Sequence, residues 1–354
     1  MTKTGTKIPK EEYLTTGKNI IIDQGKDSIA GYTDRQKGIF KEVPVIVFGD
    51  HTRIVKYVDK PFFLGADGVK VLKSKEKESN YKYLYYALKA AHIPNTGYNR
   101  HFKWLKQINI NYPDFNEQKN IVDILDSLTR VIKVRQKELA FFDKLIKARF
   151  VEMFGDPANP INIWDPEKLG KICILNPKKE KKLENDDLDV SFVPMSAVSE
   201  NGAINTTKVK KYSEVKKGFT YFSENDVLFA KITPCMENGK GAVAIGLKNK
   251  KGFGSTEFHV LRPIKGKSNP YWLYTLTSFQ SFRKLAELNM TGSAGQKRVP
   301  IKFLQNYKVV VPPIELQNEF ANFVQQVDKS KVAVQKSLDE TQKLYDSLMQ
   351  EYFG

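Results

Sequence analysis

The chain has 354 residues, 57 Lys+Arg against 40 Asp+Glu and a net charge of +17; that length suits two or three domains, and that charge points to an anionic partner, most often nucleic acid. Hydrophobic content of 41%, with 22 Phe and 16 Tyr, supplies real cores and excludes wholesale disorder. No apolar run approaches the ~18–20 residues that cross a bilayer, Met1-Thr2-Lys3-Thr4-Gly5 is not a signal peptide, and two cysteines, Cys173 and Cys235, make neither a disulfide framework nor a metal knuckle.

In chain order, residues 1–112 form a mixed segment. Its β-branched run Val45-Ile46-Val47-Phe48 reads as a strand. Gly65 through Leu88 reads as a strand, a Lys-rich loop and an aromatic-rich helix. Residues 113–155 then read as one long helix: Ile121, Ile124, Leu125, Leu128, Val131, Ile132, Leu139, Phe142 and Leu145 recur at threes and fours, with no internal Gly or Pro before Phe154-Gly155. A helix of ~38 residues would span about 55–60 Å. Residues 156–311 are a second mixed segment, with strand runs at Val227-Leu228-Phe229 and Val309-Val310-Val311 and Asn-Gly turns at 201–202 and 238–239. Residues 312–354 form the second long helix, with Phe320, Phe323, Val324, Val327, Val334, Leu338, Leu344 and Leu348 as its apolar stripe.

The two helices are copies. A shift of 199 residues sets 113–155 on 312–354 without a gap and with ten identities, among them Pro113 on Pro312, Gln118 on Gln317, Lys144-Leu145 on Lys343-Leu344 and Phe154-Gly155 on Phe353-Gly354. Two unrelated core helices are the alternative, and the ungapped register favours duplication. The mixed segments echo each other more faintly: at offset 189, Val71-Leu72 falls on Val260-Leu261 and Asn80 on Asn269. The expected architecture is mixed α/β with a pseudo-twofold internal repeat, two α/β domains separated by two long helices whose apolar stripes bury against each other in antiparallel fashion.

Charge follows the repeat. Residues 1–112 carry 20 basic and 11 acidic side chains, and residues 156–311 carry 25 and 15, whereas the two helices together have a net charge of −2. The whole excess lies in the globular segments, which suits two anion-binding heads on a neutral to acidic spacer. No P-loop, no G-x-G-x-x-G after a strand and no metal-spaced Cys/His cluster occurs, and His51, His92, His101 and His259 are scattered. Glu237 and Lys240 lie at a spacing that nucleases also use, but chance supplies it often. Asp50-His51 is an acid beside an imidazole without a visible third partner.

Four loops suit recognition: 48–53, 65–68, 96–101 and 291–298, the last two glycine-containing turns ahead of helices, where backbone N–H groups favour phosphate. Arg pairs bidentately with guanine, and Asn or Gln with adenine. The candidate DNA-contacting side chains are Asp50, His51, Thr52, Arg53, Asp67, Lys70, Tyr98, Asn99, Arg100 and Lys103 in the first segment, and Lys231, Thr233, Lys240, Thr256, Ser293, Gln296, Lys297, Arg298 and Lys302 in the second. No catalytic or metal-binding residue is expected.

Two variable α/β segments alternating with two similar helices, each closing in Phe-Gly, resemble the specificity subunits of type I restriction–modification systems. Ile232-Thr233-Pro234-Cys235-Met236-Glu237-Asn238-Gly239-Lys240, Val47-Phe48-Gly49-Asp50-His51-Thr52-Arg53, Phe62 through Lys70 and Trp164 followed by Leu169-Gly170 carry the resemblance. It implies a target recognition domain over 1–112, a central conserved helix over 113–155, a second target recognition domain over 156–311 and a C-terminal conserved helix over 312–354. It further implies a cytoplasmic, non-catalytic chain whose domains each read one half of a split double-stranded DNA target, and whose helices set the gap and dock methyltransferase subunits. Motor–endonuclease subunits join that core, no cofactor sits on this chain, and S-adenosylmethionine belongs to the methyltransferase partner. Residues 1–112 lack the opening represented by Trp164 and Leu169-Gly170, so the expectation is that this variant dispenses with it or that the natural start lies upstream. Two rival readings stay open: a scaffold whose basic heads hold acidic protein partners, and a self-contained DNA-modifying enzyme.

Overall fold

The computed structural model describes residues 5–65, 68–76, 78–97, 99–161, 163–179, 186–293 and 295–354. The chain divides into two compact units. Unit 1 joins Met1–Gln136 to Lys336–Gly354, and unit 2 is the continuous stretch Lys137–Gln335.

Unit 1 contains β1 (Asn19–Ile22), β2 (Gly31–Thr33), β3 (Val45–Gly49), β4 (Val55–Val58), β5 (Phe62–Leu64), β6 (Val69–Leu72), α1 (Tyr81–Ala90), α2 (Phe102–Leu105) and the first half of α3 (Phe115–Phe154). The strands make two three-stranded sheets, ordered β2-β1-β5 and β4-β3-β6. β3 is buried along its whole length, as its unbroken β-branched and aromatic run requires. Its Val45 and Val47 pack with Phe40, Val58, Phe62 and Leu64, each such burial worth roughly 1.5–3 kcal/mol. α1 starts where Asn80 accepts the backbone N–H groups of Lys82 and Tyr83, the usual work of an asparagine N-cap. Tyr83, Tyr86 and Ala87 on its inner face meet Ile121, Val122 and Leu125 of α3 and Tyr345 of the C-terminal helix. The Tyr86 hydroxyl donates to Asp126 Oδ1 at 2.7 Å, and Lys82 pairs with the same carboxylate.

Unit 2 continues α3 into β7 (Gly155–Asp156), β8 (Asn159–Pro160), β9 (Pro166–Lys168), α4 (Leu169–Ile172), β10 (Cys173–Leu175), β11 (Asp189–Val193), β12 (Val209–Lys211), α5 (Tyr212–Val215), β13 (Thr220–Ser223), β14 (Val227–Ala230) and β15 (Gly241–Val243). There follow β16 (Lys251–Gly254), β17 (Phe258–Pro263), α6 (Pro270–Ser278), α7 (Gln280–Leu288), α8 (Ile301–Asn306), β18 (Lys308–Val310) and α9 (Ile314–Phe353), whose second half belongs to unit 1. Two four-stranded sheets have the orders β10-β17-β14-β15 and β12-β11-β16-β13. The parallel pair β11–β16 repeats the parallel pair β1–β5 of unit 1, and the central antiparallel strand β14 repeats β3. α6 is capped by Asn269, which accepts the Tyr271 N–H at 2.9 Å. Trp272, Leu273 and Leu276 then pack with Phe150 and Phe154 of α3 and Phe320 and Val324 of α9.

The two 40-residue helices therefore meet in opposite sense within each unit: early α3 lies against late α9 in unit 1, and late α3 against early α9 in unit 2. Both helices begin two residues after the repeated proline. The amides of the repeated glutamines, Gln118 and Gln317, donate to the carbonyls of Pro113 and Pro312 at 2.9 and 2.8 Å. Side-chain amides thus pin the chain as it enters each helix, and this is why Pro and Gln recur together in the repeat.

Candidate nucleic-acid interface

In each unit three loops converge where the central strand ends. The backbone of Asp50, just past β3, donates to the Gly68 carbonyl at 2.7 Å, and His101 donates back to the Asp50 carbonyl at 2.8 Å. In unit 2 the residue just past β14 is Lys231. It donates to the Glu257 carbonyl at 2.9 Å and receives the Val299 N–H at 2.8 Å. The same two backbone bonds join corresponding loops in both halves: 50–53, 65–68 and 96–101 in unit 1, and 231–240, 255–257 and 291–298 in unit 2. Gly68 sits at φ +93°, and a Cβ there would lie 2.9 Å from His51 Cδ2 and 2.7 Å from Gln24 Oε1. Only glycine allows that approach.

Side chains fasten the corner of unit 1. Asp50 is 2% exposed; its carboxylate accepts the Phe102 N–H at 2.8 Å and lies 3.9 Å from Lys70 Nζ. The Thr52 hydroxyl donates to the Gln24 carbonyl at 2.6 Å, and Arg53, at φ +63°, donates from Nη1 to the Ile93 carbonyl at 3.0 Å. The Asp50 carbonyl can only accept, so His101 Nδ1, 3.0 Å away, carries the hydrogen. Above this frame Lys70 and Lys106 lie 5.6 and 5.0 Å from the Phe102 ring centroid, and Lys103 lies 5.1 Å from that of Trp104. The result is a basic surface interleaved with aromatics, suited to phosphate and base stacking.

In unit 2, Thr233 donates its N–H to the Lys297 carbonyl at 3.0 Å, and Arg298 exchanges backbone bonds with Thr291. The Arg298 guanidinium forks onto Glu257, Nε to Oε2 at 2.9 Å and Nη2 to Oε1 at 2.9 Å. That hydrogen bonding holds the Glu257 carboxyl below its usual range, with burial opposing. His259 lies beneath: its Nε2 donates to the Val299 carbonyl at 2.8 Å, so Nδ1 accepts from the Asn176 amide at 3.2 Å. Burial pushes the imidazole pKa down, with the Val299 bond opposing.

The chain is matched over residues 1–140 and 162–342 by the family described as the type I restriction modification DNA specificity domain. The chain belongs to that family. Over 231 residues, 63% of its length, it is 35% identical to the type I restriction enzyme EcoEI specificity subunit of Escherichia coli. Over 230 residues it is 34% identical to the EcoAI specificity subunit of the same organism. These matches cover 38% and 39% of the two relatives, so the chain spans about two fifths of the length of the proteins it resembles. The crystal structure of the type I restriction–modification S subunit from M. genitalium shares the fold, with a TM-score of 0.55 over 99% of this chain and 93% of that one at 18% identity.

Within this family member the corners gather most of the expected contact residues. Asp50, His51, Thr52, Arg53, Asn99, Arg100 and Lys103 belong to the loops and short helix of the first corner, and Lys70 to the adjoining strand β6. Lys231, Thr233, Lys240, Thr256, Ser293, Gln296, Lys297, Arg298 and Lys302 belong to those of the second. Asn99, Arg100, Lys103, Thr256, Ser293, Gln296, Lys297 and Lys302 are exposed, as contact residues must be. Asp67 and Tyr98 lie outside the described residues.

Several expectations change. The helix after 96–101 does not offer a free N-terminus to phosphate: α2 has four residues, and its first N–H is taken by Asp50; α8, after 291–298, is a short helix of six residues that follows Pro300. Asp50 and Arg53 hold the frame and bond to backbone. Glu237 accepts the Thr233 hydroxyl at 2.8 Å while Lys240 donates to the Met195 carbonyl at 3.3 Å, so the two do not pair with each other. Among the described residues no group of three His, Cys, Asp or Glu side chains could hold a metal ion, and no helix is long and apolar enough to cross a membrane. Sequence reasoning missed Gln24, His101 and His259 as fasteners of the corners. His259 alone carries a sequence signal, a polar residue in the apolar run Phe258-His259-Val260-Leu261; Gln24 and His101 stand among polar and charged neighbours.

Proposed function

We propose that the chain supplies DNA sequence recognition to a type I restriction–modification complex in the cytoplasm, each unit reading one half of a bipartite double-stranded target. The observation that carries this reading is the duplicated corner: the same pair of backbone bonds sets three loops around the end of β3 and of β14, in the two segments that hold the chain's excess positive charge. Backbone frames of this kind position a protein on phosphates, and the side chains mounted on them read base edges. The catalytic steps fall to partners: methyltransferase subunits that carry S-adenosylmethionine and dock on the helices, and motor–endonuclease subunits that join them.

Equal lengths of 40 residues in α3 and α9 support a spacer role, since about 60 Å of helix exceeds the ~34–36 Å major-groove repeat of B-DNA. Methylation profiling of cells expressing the chain with its partners should show two short blocks separated by a constant unread gap. Removal of one turn at equivalent positions in α3 and α9 should change that gap. An unchanged gap in an intact complex would eliminate the spacer role. A scaffold for acidic proteins would show no preference between specific duplexes and bulk DNA in competition at physiological salt, with or without methyltransferase partners.

A further inference from the structure

The first turn of α7 brings a cation underneath the corner of unit 2. Arg283 is 5% exposed. Its Nη1 donates to the Met236 carbonyl at 2.6 Å and its Nη2 to the Lys240 carbonyl at 3.4 Å. The Phe229 ring centroid lies 4.9 Å from its Cζ. Among the described residues no carboxylate pairs with it, and burial pushes its pKa down to about 10.

An uncompensated buried cation is a costly way to fill space, and an apolar side chain of similar volume is often as stable or more so. Nor are the two carbonyls short of partners. Met236 already accepts the Gly239 N–H at 3.1 Å, and Lys240 accepts the Ala230 N–H at 3.2 Å. What Arg283 adds is a brace across the turn 232–240, whose own bonds run from Met236 to Ile232, Asn238 to Pro234 and Lys240 to Cys235. The braced stretch carries Thr233 and Lys240, and it is the longest loop of its corner.

We propose that Arg283 is a positioning residue for DNA sequence discrimination: it holds the 232–240 turn in one conformation from beneath, and the half-site of unit 2 is read through that held turn. This rests on the recognition role proposed above. Arg283 touches no DNA in this scheme. Its effect passes through Met236 and Lys240 to the side chains that do.

The test uses Arg283→Met, which keeps most of the stem packed on Phe229, and Arg283→Lys, whose ammonium reaches one carbonyl at most. In the full-length chain without DNA, amide exchange within 232–240 should quicken in Arg283→Met and less in Arg283→Lys, with the melting temperature unchanged or raised. Unchanged exchange in the turn overturns the brace, as does a melting temperature that falls together with protection throughout unit 2. In the complex reconstituted with methyltransferase subunits, selection from a pool of randomised duplexes should enrich a motif with one half degraded by about tenfold, the other half intact, and discrimination partly restored in Arg283→Lys. Both halves unchanged, or both degraded equally, overturns the discrimination role. If the wild-type complex enriches no split motif at all, the recognition reading itself fails, while the exchange experiment still decides whether Arg283 braces the turn.

Discussion

Past the end of β3 stands Asp50, buried and bonded to the start of α2; past the end of β14 stands Lys231, half-buried and cationic. Both backbones make the same two hydrogen bonds to the neighbouring loops. The imidazole of His101 bonds the carbonyl of Asp50 in unit 1, while that of His259 bonds the carbonyl of Val299 one loop away in unit 2. An arginine reaches a loop carbonyl in each, but Arg53 rises from the central loop itself and Arg283 from a separate helix. Duplication has kept the backbone frame and exchanged almost every side chain mounted on it. Specificity evolves cheaply in such an arrangement, because the contacts that set position are main-chain bonds that substitution does not touch.

The largest test of this contrast is Asp50→Ala. It leaves the Phe102 N–H buried without its acceptor and should cost unit 1 about 2 kcal/mol, read as faster amide exchange through 99–105 with unit 2 unaffected. Equal loosening of both units would mean that the two corners are not independent frames. A smaller effect comes from acid. Because folding lowers the His259 pKa, the unfolded chain takes up a proton that the folded chain resists. Unit 2 should keep its full stability above pH 6.5, the ordinary histidine value, and lose it as pH falls below that, by at most ~1.4 kcal/mol per pH unit. His259→Gln should flatten this component in denaturant titrations at pH 7 and pH 5.5, and an unchanged slope would show that the imidazole is not the group responsible. The smallest effect belongs to the exposed lysines. Lys103→Ala and Lys297→Ala should each reduce the salt dependence of DNA binding by about one counterion without changing which bases are preferred. A changed motif would promote either residue from phosphate contact to base reader.

The long elements were legible in the sequence because their signals are local. Apolar spacing at threes and fours marks α3 and α9; the ungapped repeat puts Gln118 on Gln317, and the fainter echo at offset 189 puts Asn80 on Asn269, pairs that turn out to be entry clamps and helix caps. The loops of the corners could be named, since glycine with mixed basic and polar residues marks them. Their stitching could not. Asp50 reaches Phe102 across 52 positions and Arg283 reaches Met236 across 47, and no periodicity encodes a contact between segments that far apart. The same distance explains why phosphate-binding helix ends were expected at 96–101 and 291–298: a glycine turn before a helix looks open in sequence, and only packing shows that Asp50 already occupies the first.

Unit 1 is assembled from the two ends of the chain, with unit 2 inserted as a continuous stretch between them. Its Tyr83 and Tyr86 rings are covered by Phe353 and Tyr345, ring centroids 5.3 and 6.5 Å apart. Synthesis proceeds from the N-terminus, so every residue of unit 2 has been made while this aromatic face still waits for its cover. The unit begun first is the one completed last, and a nascent chain stalled in the second half of α9, past Gln335, would carry a finished unit 2 beside an unfinished unit 1.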